Sequence, residues 1–199
     1  MLARFVVMLV STLAIPASTA AQHGTGTSAP APRTAPREAA QFDFLVGQWE
    51  LVAKPRATTL AARIHGVPKL TGTWKAWRAL DGWGIEDELK LVDGSGNPRA
   101  FVHTVRVYSS SAKRWSTSAL DVARASFASA NAEWRNGQMH VSGMGTDQQG
   151  KQYVSRTRFH DITRDSFRVQ QDRSYDNGRT WTEGIVRIEA KRVSATAAR

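Results

Sequence analysis

Turn residues recur along this chain and leave room for little besides short strands. Asp81-Gly82, Asp93-Gly94-Ser95-Gly96-Asn97-Pro98, Asn136-Gly137, Gln149-Gly150 and Asp176-Asn177-Gly178 punctuate the sequence after Leu70. Asx-Gly pairs supply the positive φ that two-residue hairpin turns need. Between the turns, apolar and polar residues alternate. Residues 84–92 set Ile85, Asp87, Leu89 and Leu91 against Glu86, Glu88 and Lys90. Residues 100–108 set Phe101, His103, Val105 and Val107 against Val102, Thr104, Arg106 and Tyr108. Stretches 70–80, 115–122, 125–134, 138–145, 151–160, 166–175 and 180–191 read the same way, a period of two throughout. No long helical pattern separates them, which argues against a parallel α/β sheet. The prediction is an all-β domain of about ten antiparallel strands. Closure into an up-and-down barrel would remove the exposed edges; a two-sheet sandwich is the alternative.

The folded part is predicted to begin at Phe42-Asp43-Phe44-Leu45-Val46. Phe42 lies three or four residues from Leu45 and Val46, the spacing of a short helical turn. Gly47 then frees the backbone to change direction. Trp49, Leu51 and Ala53 start the first strand, which Pro55 ends. Such a segment can plug one end of a barrel. In the connection that follows, Thr58, the Leu60/Ile64 pair and Gly66 fit one or two turns of helix over a barrel mouth, and fit a plain loop equally well.

Residues 1–21 have the pattern of a signal peptide: Arg4, an apolar run from Phe5 to Ile15, then Ala17-Ser18-Thr19-Ala20-Ala21 as a cleavage site. The run is shorter than the roughly 20 residues of a membrane-spanning helix. A periplasmic or secreted location is therefore expected, with no transmembrane segment after cleavage. Residues 22–40, rich in Ala, Pro and Thr, read as a flexible leader. Residues 41–192 form the predicted barrel domain and 193–199 a disordered tail.

The chain has no cysteine, which excludes disulfides, thiolate nucleophiles and Cys-ligated metals. Its net charge of +10 is scattered, with no basic run longer than two. Nucleic-acid binders concentrate charge on one face or arm, so no nucleic-acid partner is expected. The sequence lacks G-x-S-x-G, H-E-x-x-H, a phosphate-binding G-x-x-x-x-G-K-[ST] loop and a dinucleotide glycine fingerprint. No catalytic residue, metal ligand or cofactor is assigned.

The candidate ligand-binding residues are Trp74, Phe101, His103 and Asp87. Trp74 is one of seven tryptophans, large enough to line an apolar cavity or fill a core. His103 shares a face with Phe101, Val105 and Val107, read as the inward face. An inward imidazole needs a partner or a ligand. Asp87, beside Ile85 and Leu89, is read as a buried ligand group or as the partner of an inward arginine such as Arg78. The stripe of Arg156, Arg158 and His160 is read as solvent-facing.

Gly47-Gln48-Trp49, after its short apolar turn, resembles the G-x-W signature at the first strand of lipocalins and related calycin barrels. The stretches 42–49 and 173–181 are similar to an uncharacterised bacterial family of exported lipocalin-like domains, over about residues 42–192. The resemblance implies a calycin-type barrel with structural roles for Gly47 and Trp49. It also implies a basic residue of the last strand packed on Trp49, here Arg187 or Arg192, with Arg187 taken as the candidate. Haem-binding relatives carry further glycines after the tryptophan, whereas Glu50-Leu51-Val52-Ala53 follow here.

The function expected first is binding of a small apolar or amphipathic ligand in the barrel. An isomerase or hydratase on the same barrel would need a titratable pair, such as His103 and Asp87, close together. A structural envelope protein would have a filled core. Oligomeric state is left open.

Overall fold

The computed structural model describes residues 34–57, 60–147 and 149–194, with backbone alone at Ala61 and Arg63. The residues read as a signal peptide, the leader up to residue 33 and the last five residues lie outside this set. Among the described residues there are ten strands: β1 (Gly47–Pro55), β2 (Leu70–Ala79), β3 (Gly84–Val92), β4 (Pro98–Ser109), β5 (Arg114–Asp121), β6 (Ser126–Arg135), β7 (Gln138–Thr146), β8 (Gln152–His160), β9 (Ser166–Ser174) and β10 (Thr182–Arg192). Each pairs antiparallel with its chain neighbours, and β1 pairs with β10 to close an up-and-down barrel.

The hairpins form where the turn residues stand. Asn136 and Gly137 both take positive φ (51° and 73°), as a tight two-residue β-turn between twisted strands requires. The helical elements are short. Arg37–Ala40 and Asp43–Leu45 are 3₁₀ turns at the N-terminal side, and α1 (Leu60–His65) lies in the β1–β2 connection. Arg37–Ala40 falls in the stretch read as leader, and its Ala39 is buried. Leu60 and Ile64 of α1 are exposed, so this apolar pair does not pack on the barrel.

The inner face is graded in side-chain size. At one end Phe42, Phe44 and Leu45 of the N-terminal turn enter the barrel and meet Trp115, Phe159, Phe167 and Trp49. Phe42 lies edge-on to Trp115 at 4.9 Å and Trp49 edge-on to Phe167 at 4.7 Å, a favoured aromatic geometry. The indole N–H groups are satisfied inside the plug: Trp49 Nε1 donates to the Leu45 carbonyl at 2.7 Å and Trp115 Nε1 to Gln41 Oε1 at 3.0 Å. Arg78 of β2 pairs with the Asp43 carboxylate, which ties the plug to the wall.

At Gly47 φ is 128°, and a Cβ there would collide with the guanidinium of Arg192. That guanidinium lies 4.0 Å over the Trp49 ring and donates to the carbonyls of Val46 and Arg164. The basic residue on Trp49 is therefore Arg192. Arg187 does not take that place: it sits five residues earlier on β10, faces outward, and donates to Gln170 Oε1 at 3.2 Å. β1 sets Trp49 opposite Arg192 but Lys54 opposite Arg187, and this register decides between the two.

Candidate functional site

Toward the other end the inner side chains shrink. The register aligns Thr117 and Ala119 of β5 with Ala130 and Ala128 of β6, and Ala130 with Gly143 of β7. Gly143 leaves little slack for a side chain, since a Cβ there would lie 3.0 Å from that of Ala130. Small residues on three adjacent strands leave the barrel unfilled here. The result is an open cavity of about 1640 Å³, mouth included. Its deeper lining includes Trp74, Thr104, Arg106, Phe159, Val169 and Ile188, and Phe127 and Trp181 stand toward the mouth. Its lining mixes aromatic and aliphatic side chains with many hydroxyl and amide groups, and a concave barrel interior is a usual place for a small-molecule site.

The loops around the mouth are pinned by their own aspartates. Asp93 Oδ1 accepts from the amides of Ser95 and Asn97, and Asp147 Oδ1 from those of Gln149 and Lys151. Asp176 Oδ1 accepts from Ser174 Oγ at 2.6 Å and the Thr180 amide at 2.8 Å. These bonds hold the Asp176 carboxyl well down, to about 2. The same kind of bond, chiefly from a backbone amide, lowers Asp93 and Asp147. The rim is thus preformed, because local side-chain to backbone bonds define each turn.

The polar group deep in the cavity joins three strands. Trp74 Nε1 of β2 donates to Asp87 Oδ1 of β3 at 2.7 Å. The other oxygen of Asp87 forms an ion pair with Arg106 of β4. Asp87 is 1 % exposed and Arg106 is 6 % exposed. Burial pulls Arg106 down to about 9, which leaves it charged at neutral pH beside the carboxylate. Its guanidinium also sits 5.1 Å from the Phe42 ring, so the plug supports it from below.

Of the residues read from the sequence, Trp74 and Asp87 face the interior and are brought together. The partner of Asp87 is Arg106 and not Arg78, which is committed to Asp43. Phe101 and His103 lie on the outer wall, contrary to the expected face. β3 pairs Asp87 with Thr104 and Ile85 with Arg106, so Thr104 and Arg106 share the inner face and His103 stands opposite Glu88 outside. There His103 Nε2 lies 3.7 Å from Glu86, and Lys90 covers the Phe101 ring at 4.5 Å. Both faces of β4 carry apolar residues, so alternation alone does not set its phase. Arg106 turns inward because Asp87 neutralises it there. His103 and Asp87 are on opposite faces of the sheet and form no titratable pair.

Arg106 was missed by the sequence reading. The signal for it was a carboxylate on an apolar face, which needs a cation nearby. The run Ala128, Ala130, Ala132 likewise marks where the interior stays open. Among the described residues no His, Cys, Asp and Glu group is arranged to hold a metal ion, and no helix is long and apolar enough to cross a membrane.

Fold and cavity together define a lipocalin-like β-barrel with an open interior. Among solved structures the chain is similar to the S-type phycobiliprotein lyase CPES from Guillardia theta, with a TM-score of 0.53 over 78 % of this chain and 92 % of that one. The two are 11 % identical in sequence, so the likeness concerns the fold. The sequence matches no known family profile and no curated protein.

Proposed function

We propose that this protein is an exported barrel that binds a small, largely apolar ligand in its interior. The observation that carries the reading is the open cavity left by Thr117, Ala119, Ala130 and Gly143 above an aromatic floor. Apolar burial is the driving force, at roughly 25 cal/mol per Å² removed from water. The Asp-pinned rim supports it, since a preformed mouth lowers the ordering cost of binding. The N-terminal apolar run followed by small residues supports export.

Native mass spectrometry of the full chain's mature form, purified from its own source, tests the reading. A reproducible added mass that is lost on denaturation is the expected result. A clean apo mass, together with no binding of any apolar probe, overturns it. Export is tested separately by N-terminal sequencing of the mature protein, which is expected to begin after Ala20 or Ala21.

A further inference from the structure

We infer that the cavity floor receives the polar end of the ligand, and that this end is a neutral hydrogen-bond acceptor, such as an ester or ketone oxygen, rather than a carboxylate. The inference rests on the binding function proposed above.

It begins with an unmet donor. Among the described residues, the buried side-chain nitrogens without a hydrogen-bond acceptor all belong to Arg106: Nε and Nη1. Nη1 is the nitrogen ion-paired with Asp87, which leaves Nε with no partner at all. A buried N–H left without an acceptor is costly, and native interiors rarely tolerate one. The arginines of the plug are different. Arg78 is matched to Asp43, and Arg192 to the carbonyls of Val46 and Arg164. Two of the hydroxyls that line the cavity are engaged with the protein: Thr117 Oγ1 donates to the Ala130 carbonyl and Ser155 Oγ to that of Gly143. Arg106 lines the cavity and carries a buried donor that no protein group takes up.

Charge then selects the acceptor. Arg106 and Asp87 cancel, and both are almost wholly removed from water. A carboxylate docked here would bring an uncompensated negative charge into a poorly solvated site and would face Asp87 across the same guanidinium. Burying an unpaired charge is far more costly than burying a neutral dipole. A carbonyl or ester oxygen supplies the missing acceptor without that penalty.

The test displaces Nile red, a neutral solvatochromic probe, from the full chain with methyl dodecanoate and with dodecanoate at pH 8. The ester is expected to displace the probe at a concentration at least about tenfold lower than the acid, the scale of a hydrogen bond to a charged group. Asp87→Asn leaves Arg106 uncompensated and should reverse the order, favouring the acid. Equal or better displacement by the acid from the unaltered protein overturns the inference, and that comparison needs no variant. An acid-to-ester ratio unchanged in a folded Asp87→Asn protein overturns it as well. Absence of Nile red binding to the unaltered protein instead removes the binding function on which the inference rests.

Discussion

The guanidinium of Arg192, on the last strand, sits 4.0 Å over the indole ring of Trp49, on the first. The contact sits where β1 and β10 meet and where the plug turns into the wall. Arg192 also bonds the Val46 and Arg164 carbonyls, so one side chain ties the entry of β1 to the β8–β9 loop. Arg192→Ala should lower unfolding free energy by roughly 2–3 kcal/mol, a cation–π contact and two charged hydrogen bonds discounted for the partial exposure of the side chain. Arg187→Ala, on the outer wall, should stay within about 0.5 kcal/mol. Urea denaturation followed by far-ultraviolet circular dichroism distinguishes the two; equal effects would refute the assignment.

Phe42 is fully buried between Trp115, Phe159 and the Arg106 guanidinium. Phe42→Ala should cost about 3–5 kcal/mol, as for other core aromatics. It should also loosen the cavity floor. The check is a fall in urea midpoint together with a red-shifted tryptophan emission; a stability change below 1 kcal/mol would mean the plug is not part of the core.

His103→Ala should leave binding of an apolar probe unchanged within twofold, because its imidazole faces Glu86 and Glu88 outside the barrel. Ala119→Trp places a large ring in the cavity and should weaken the same binding at least tenfold. Titration of Nile red fluorescence reads both. Loss of binding in the His103 variant would contradict the inner-face assignment of β4.

The β9–β10 loop should open in acid. The folded Asp176 carboxyl titrates at about 2, below its ordinary 3.8. Its stabilising bonds are therefore fully present above about pH 4 and are lost as pH falls through 2. Trp181, whose Nε1 donates to the Gly178 carbonyl at 3.0 Å, reports the change. Amide exchange at Thr180 and Trp181 emission should shift over that window, and Asp176→Asn should abolish the dependence. A pH-independent signal in the unaltered protein would dismiss the mechanism.

The barrel was legible because hairpin chemistry is local. Asn136-Gly137 and Asp176-Asn177-Gly178 declare turns by their own backbone preferences, and the alternation between turns declares strands. Trp49 and Asp87 were legible for the same reason, as exceptional residues on clear faces. The phase of β4 was not, since Phe101, Val105 and Val107 outweigh Thr104 and Arg106 in apolar character. What decides it is the pairing of Asp87 with Thr104 across to β3, a long-range register that a single strand does not encode. The choice between Arg187 and Arg192 had the same origin: both lie on β10, and only the pairing with β1 separates them.

The join between β1 and β10 has a consequence for the order in which the molecule is made. Thr182–Arg192 is the last strand of the barrel to leave the ribosome, yet it completes the pairing of the first. Until it arrives, β1 and β9 each present a bare edge, and unpaired edges invite association with other chains. Closure of so distant a pair is also entropically slow. Nascent chains that stall before residue 182 should therefore be held open and depend on holding chaperones, whereas chains that include β10 seal themselves.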